Sequence, residues 1–122
     1  LVMEFIGERG EKAPLLKEVN LSIDEYHEIF KNLIEDVRKI YQVARLVHGD
    51  LSEYNVMIWK GRHYIIDVSQ AVKVSHPNAN EFLIRDLRNI RKFFTDVVGL
   101  EVPSLENLYN YVVGNANELE EI

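Results

Sequence analysis

The chain contains no cysteine, which excludes disulfides, thiolate nucleophiles and cysteine-based zinc sites, and is compatible with a reducing compartment. No apolar run comes near the roughly 20 residues that a membrane helix requires. No charged-then-apolar leader opens the sequence either, so a cytoplasmic location without a membrane partner is expected. Positive charge is in deficit: 14 Lys plus Arg stand against 20 Asp plus Glu, a formal net charge of −6. That balance argues against general affinity for nucleic acid while leaving room for a local basic face. Nothing repeats, and no segment is of low complexity. What remains is ordinary globular composition, 47% hydrophobic and 28% charged over 122 residues. It suits one domain, or one lobe of a larger one, around a single core.

The opening Leu1-Val2-Met3-Glu4-Phe5-Ile6-Gly7 reads as a short buried strand whose pairing partners are expected upstream. Residues 8–21 are polar and read as a surface connection. Ser22 and Glu25 then have capping-box spacing, with Leu21 and Tyr26 placed for a hydrophobic staple. Apolar residues at 26, 29, 30, 33, 34, 37, 40, 41 and 44 predict a helix over 23–44; at 1.5 Å per residue it would be about 33 Å long. Val56–Trp59 and His63–Ile66 are β-prone runs joined by Lys60-Gly61-Arg62, a hairpin by composition, and Val72–Val74 suggests a third short strand. Asn78 and Glu81 again have capping spacing ahead of a helix over 79–95. Pro103-Ser104 opens a last helix that Gly114 ends. The fold class expected is α+β, mainly helical, with a small antiparallel hairpin attached.

The informative stretch is Leu46-Val47-His48-Gly49-Asp50-Leu51-Ser52-Glu53-Tyr54-Asn55, followed by Tyr64-Ile65-Ile66-Asp67-Val68-Ser69. Asp50 and Asn55 lie in a segment too polar for a strand, and Asp67 ends an apolar strand that would pair with the one leaving Asn55. A hairpin turning at 60–62 sets Asn55 and Asp67 across from one another, within reach of a shared ion. Oxygen ligands of this kind suit Mg²⁺ or Mn²⁺, which take one or two protein groups and fill the remaining positions with phosphate and water. Asp50 is then free to face a substrate hydroxyl. One candidate base and two metal ligands are what phosphoryl transfer asks of a protein, since it needs mainly positioning and charge neutralisation. Any single loop Asp or Asn is more often a turn former than a functional group. For His48, Asp50, Asn55 and Asp67 together, average residue usage gives a chance match on the order of 10⁻⁴.

These residues resemble the catalytic loop H-R-D-L-x-x-x-N and the metal triplet D-F-G of the protein-kinase superfamily. The fuller strings HGDLSEYN, IIDVSQAV and HPNA, with a helix containing RDLRNI, resemble the RIO family of atypical kinases, the type 1 branch most closely. The resemblance runs from residue 1 to about residue 113. It implies a protein-kinase-like carboxyl-terminal lobe over 8–122, with 1–7 as the interlobe hinge and the amino-terminal lobe outside this chain. It implies Asp50 as the catalytic carboxylate, and Asn55 and Asp67 as holders of Mg²⁺ on ATP. Met3, Glu4 and Ile6 would lie at the adenine edge. Asp67 is also a candidate phosphoaspartate, and His48 a prop for the loop. The implied activity is that of a serine/threonine protein kinase or ATPase in small-ribosomal-subunit maturation, its partners being the precursor particle with its RNA or proteins.

Departures from the ordinary kinase pattern carry their own expectations. Gly49 stands where an Arg would receive a phosphorylated activation loop. Ser52 stands where a Lys often approaches the transferring phosphate, and Ser69 replaces a Gly. Only about a dozen residues separate Asp67 from the next helix, too few for a long activation segment. Arg85, Arg88 and Lys92 read as a solvated helix face, with contact to ribosomal RNA as the functional alternative. Trp59, Tyr64 and Phe93-Phe94 read as packing residues. Two rivals remain open at this point: a small-molecule kinase of the aminoglycoside or choline type, and a nucleotide-switched assembly factor with little transfer to any partner.

Overall fold

A computed structural model describes residues 7–8 and 11–116. Helix α1 spans Ile23–Gln42, about 30 Å at 1.5 Å per residue. Its start is the expected capping box: Ser22 Oγ accepts the Glu25 amide at 3.2 Å, and Glu25 Oε1 accepts the Ser22 amide at 3.1 Å. Tyr26, Ile29, Phe30, Leu33, Ile34 and Val37 form its buried stripe. Each large side chain of this kind contributes about 1.5–3 kcal/mol on leaving water. The stripe packs against α2 (Ala79–Lys92) and α3 (Leu105–Val113) through one continuous core. Phe94 sits inside that core, meeting Phe30 edge-on at 5.1 Å and Phe93 at 5.3 Å between ring centroids. The helix expected over 79–95 keeps α-helical form to Lys92, then widens into a π-helical segment over Phe93–Val98 that Gly99 closes at φ 87°. Asn78 does not cap α2 with its side chain; its backbone amide is instead turned to His76 Nδ1 at 3.0 Å.

Among the described residues, six short strands pair in twos. β1 (Gly7–Glu8) meets β2 (Glu11–Lys12), β3 (Leu46–Val47) meets β6 (Val72–Lys73), and β4 (Val56–Trp59) meets β5 (Arg62–Ile65), all antiparallel. The hairpin β4–β5 turns on two residues, Lys60 at φ 50° and Gly61 at φ 76°, because Trp59 pairs directly with Arg62. Two positive-φ residues give the twist that a tight hairpin needs. The third strand expected over 72–74 exists, but it pairs with β3 rather than extending the hairpin.

The expectation of a surface connection over 8–21 is corrected. Ala13 and Leu16 are buried, Leu15 bridges Met57, and the Ile58 amide donates to the Pro14 carbonyl at 2.9 Å. With β5 on one side only, β4 would leave backbone groups unpaired along its second edge. Pro14 and Leu15 supply pairing there.

Candidate active site

The segment His48–Asn55 connects β3 to β4, and Asp67 follows β5, so both parts of the motif emerge from paired strands. Four tethers draw them together. β3 and β6 match Leu46 with Lys73 and Val47 with Val72, joining the entry of the first loop to the exit of the second. The Ile66 amide donates to the Asn55 carbonyl at 2.8 Å, one step beyond the Val56–Ile65 pair. Asn55 therefore faces Ile66, and Asp67 is the next residue. His48 Nε2–H donates to the Ile66 carbonyl at 2.9 Å while Nδ1 accepts the Asp50 amide at 3.1 Å. Those two bonds fix the Nε2–H tautomer, and His48 acts as the buried prop its position suggested.

The fourth tether is a close approach. Gly49 has φ 87°, and a Cβ built there would lie 2.8 Å from the Gln70 carbonyl oxygen. Glycine is thus required twice at this point, for its backbone angle and for its missing side chain.

Beneath the loop lies Asp86 of α2, 1% exposed. Its Oδ2 accepts the Gly49 amide at 2.8 Å and its Oδ1 the Leu51 amide at 3.0 Å. Burial pushes this carboxyl above the usual carboxylate range, while the Leu51 and Gly49 amides, and then His48 and Arg85, pull the other way. Arg85 donates to the Gly49 carbonyl and lies over the Phe82 ring at 4.9 Å, so it is not simply part of a solvated face with Arg88 and Lys92. Asp86 carries no functional expectation from its local sequence motif. Its signal was a carboxylate at a stripe position, between Leu83 and Leu87, where an apolar residue was due.

Of the predicted site residues, Asp50 and Asp67 are exposed and Asn55 is buried. Asn55 Oδ1 accepts the Ser52 hydroxyl at 3.2 Å, and Asp67 Oδ1 accepts the Ser69 hydroxyl at 2.9 Å. Asp67 is held at φ 58°, ψ 64°, a left-handed conformation uncommon for residues with a side chain, though Asp and Asn adopt it more readily than most. Met3, Glu4 and Ile6 lie outside the described residues. Among the described residues no three His, Cys, Asp or Glu side chains gather as a metal site. An amide oxygen and a carboxylate are hard donors and only a partial shell. That fits Mg²⁺ or Mn²⁺ completed by phosphate and water, and not a metal caged by protein alone.

Residues 1–106 match the RIO domain family. The chain belongs to the RIO family. It is 42% identical over 125 residues to the serine/threonine-protein kinase RIO1 of Caenorhabditis elegans, covering 100% of this chain and 24% of that protein. It is 44% identical over 114 residues to human serine/threonine-protein kinase RIO3, covering 93% of this chain and 22% of that one. The chain thus spans about a quarter of the curated relatives it matches. Its fold is that of the Rio2 kinase from Chaetomium thermophilum, solved as an ADP/Mg²⁺–phosphoaspartate complex. That match has a TM-score of 0.64 and 24% identity, covering 83% of this chain and 34% of that one. The α+β, mainly helical architecture expected for a kinase-like carboxyl-terminal lobe is therefore the one this RIO domain has. No described helix is long and apolar enough to cross a membrane.

Proposed function

We propose that these residues form the carboxyl-terminal lobe of an ATP-dependent serine/threonine protein kinase or ATPase of the RIO type. One observation carries the reading. The Asn55 carbonyl and the Ile66 amide close the hairpin base at 2.8 Å, so that Asn55 faces the residue before Asp67, and His48 bridges the Ile66 carbonyl and the Asp50 amide. In this reading Asn55 Oδ1 and Asp67 hold Mg²⁺, which when bound would neutralise charge on the β- and γ-phosphates. Asp50, exposed at the loop surface, accepts the proton of the attacking hydroxyl as the bond to the leaving ADP oxygen breaks. Met3, Glu4 and Ile6 would present the hinge to adenine, between residues 8–122 and an amino-terminal lobe.

Action on a small-ribosomal-subunit precursor in the cytoplasm is part of the proposal and rests on the family resemblance. A second reading is favoured by the short path from Asp67 to Ala79, which holds one 3₁₀ turn and the two residues of β6. Such a path leaves no platform for a docked peptide. A nucleotide-driven switch, with phosphate retained on Asp67, needs none. The Rio2 kinase of Chaetomium thermophilum, solved as a phosphoaspartate complex, supports this reading.

Incubating the full-length protein with γ-labelled ATP and mapping the label tests both. Asp50→Ala should lower turnover about 10²–10⁴-fold, the usual worth of a positioned base, while leaving MgADP binding in place. Asn55→Ala and Asp67→Ala should abolish the metal dependence of nucleotide binding. Acid-labile label on Asp67 supports the switch; acid-stable label on serine of an added protein supports the kinase. Unimpaired turnover in Asp50→Ala refutes the assignment.

A further inference from the structure

Both candidate metal donors are engaged in the same way. Ser52 Oγ accepts the Tyr54 amide at 3.2 Å, and its single proton goes to Asn55 Oδ1 at 3.2 Å. Ser69 Oγ gives its proton to Asp67 Oδ1 at 2.9 Å. An Asn side chain presents an oxygen on one side and an NH₂ on the other, and only the oxygen can bind a cation. Because the Ser52 hydroxyl already serves as acceptor for Tyr54, its donated bond selects the Asn55 rotamer that keeps the oxygen, not the amide nitrogen, on the loop side. Asp67 stands on a left-handed backbone, and its carboxylate would otherwise rotate about χ2. Among the described residues, the Ser69 bond leaves Oδ2 as the oxygen without a protein hydrogen bond.

We propose that Ser52 and Ser69 are a matched pair of positioning residues that preset the two metal donors before the cation arrives. Groups that orient metal ligands in this manner typically govern affinity by 10–100-fold. The role explains why each stands where kinases of the ordinary pattern carry another residue: a Lys at position 52 has no acceptor for the Tyr54 amide, and a Gly at position 69 has no hydroxyl to give. The inference rests on the proposal that Asn55 and Asp67 hold the metal.

The test measures Mn²⁺ binding to the full-length protein saturated with ADP, read from the loss of the free-ion electron paramagnetic resonance signal. Asn55→Ala and Asp67→Ala are run as references. Ser52→Ala and Ser69→Ala should each weaken Mn²⁺ about tenfold, Ser52→Thr should stay within about threefold of the parent, and metal-free ADP binding should be unchanged in all three. Mn²⁺ affinity unaltered in both alanine variants, with the references impaired, overturns the serine pair alone. Loss of metal-free ADP binding in parallel with Mn²⁺, or failure of threonine to restore affinity, also overturns it, since a merely structural role would give that pattern. References that bind Mn²⁺ as well as the parent overturn the metal assignment itself.

Discussion

Asp86 Oδ2 holds the Gly49 amide at 2.8 Å across 37 residues of chain, from the middle of α2 to the first turn of the candidate catalytic loop. Oδ1 does the same for Leu51. A single buried carboxylate thus fixes the backbone on both sides of Asp50, the residue proposed to meet the substrate. It leaves the Asp50 amide to His48 and the Asp50 side chain to solvent.

Asp86→Ala should strand two buried amides and cost roughly 2–6 kcal/mol, at about 1–3 kcal/mol for each unsatisfied group. That is a large part of the stability of an ordinary domain. Asp86→Asn is the finer probe, since its one oxygen can serve only one amide and its NH₂ would confront the other. The acid behaviour has a definite sign. The folded carboxyl lies above its ordinary value of 3.8 because burial disfavours its charge. Protonation therefore favours the fold, and the linked stability is fully present below about 3.8 and is lost as pH rises through the folded value. Parent and Asp86→Asn should differ progressively more as pH is lowered from 7 toward 4, in the parent's favour, in urea unfolding at each pH. A difference that shrinks over that range contradicts the assignment.

Gly49→Ala should fail for a geometric reason independent of charge. Its Cβ would press on the Gln70 carbonyl at 2.8 Å, and φ 87° adds the left-handed penalty of about 1–2 kcal/mol for a residue with a side chain. The Asp67 turn must then withdraw from the loop, so the fold should lose about 2 kcal/mol or more. Metal-dependent nucleotide binding should weaken with it. Gly61→Ala is the control, since a Cβ there meets nothing within 4 Å and the position is remote from the loop. Thermal melts and nucleotide titration on the two variants separate backbone strain from the close approach.

Residues 1–122 alone should bind MgATP weakly and show negligible turnover, because they are proposed to offer one wall of a nucleotide cleft. Isothermal titration checks this directly. Micromolar affinity or steady hydrolysis would show that the second wall is dispensable.

Much of this was legible in the residues. The Ser22–Glu25 box and the stripe from Tyr26 to Val37 announce α1, and the Lys60-Gly61 turn announces the hairpin, because local chemistry dictates both. The hairpin register on which the expected pairing of Asn55 with Asp67 rests was legible too, and the Asn55–Ile66 bond shows that register. What escaped depended on contacts distant in sequence. Nothing local distinguishes Val72–Lys73 as a partner for β3 instead of a third hairpin strand. Ala13 and Leu16 lie among polar neighbours in sequence and are buried where Leu15 bridges Met57 along the free edge of β4. Asp86 sits in a charged helix, and its purpose appears only once the loop lies above it.

The pairing of Leu46–Val47 with Val72–Lys73 carries a consequence for what can be cut away. A peptide from His48 to Ser69 would contain every group assigned to the chemistry and would lack β3, β6 and Asp86, which hold those groups in place. The motif is twenty-two residues of vocabulary; its grammar is spread from Leu46 to Asn89, whose amide reaches back to the Leu51 carbonyl. Grafting the short stretch onto a foreign scaffold would transfer the letters and lose the sentence.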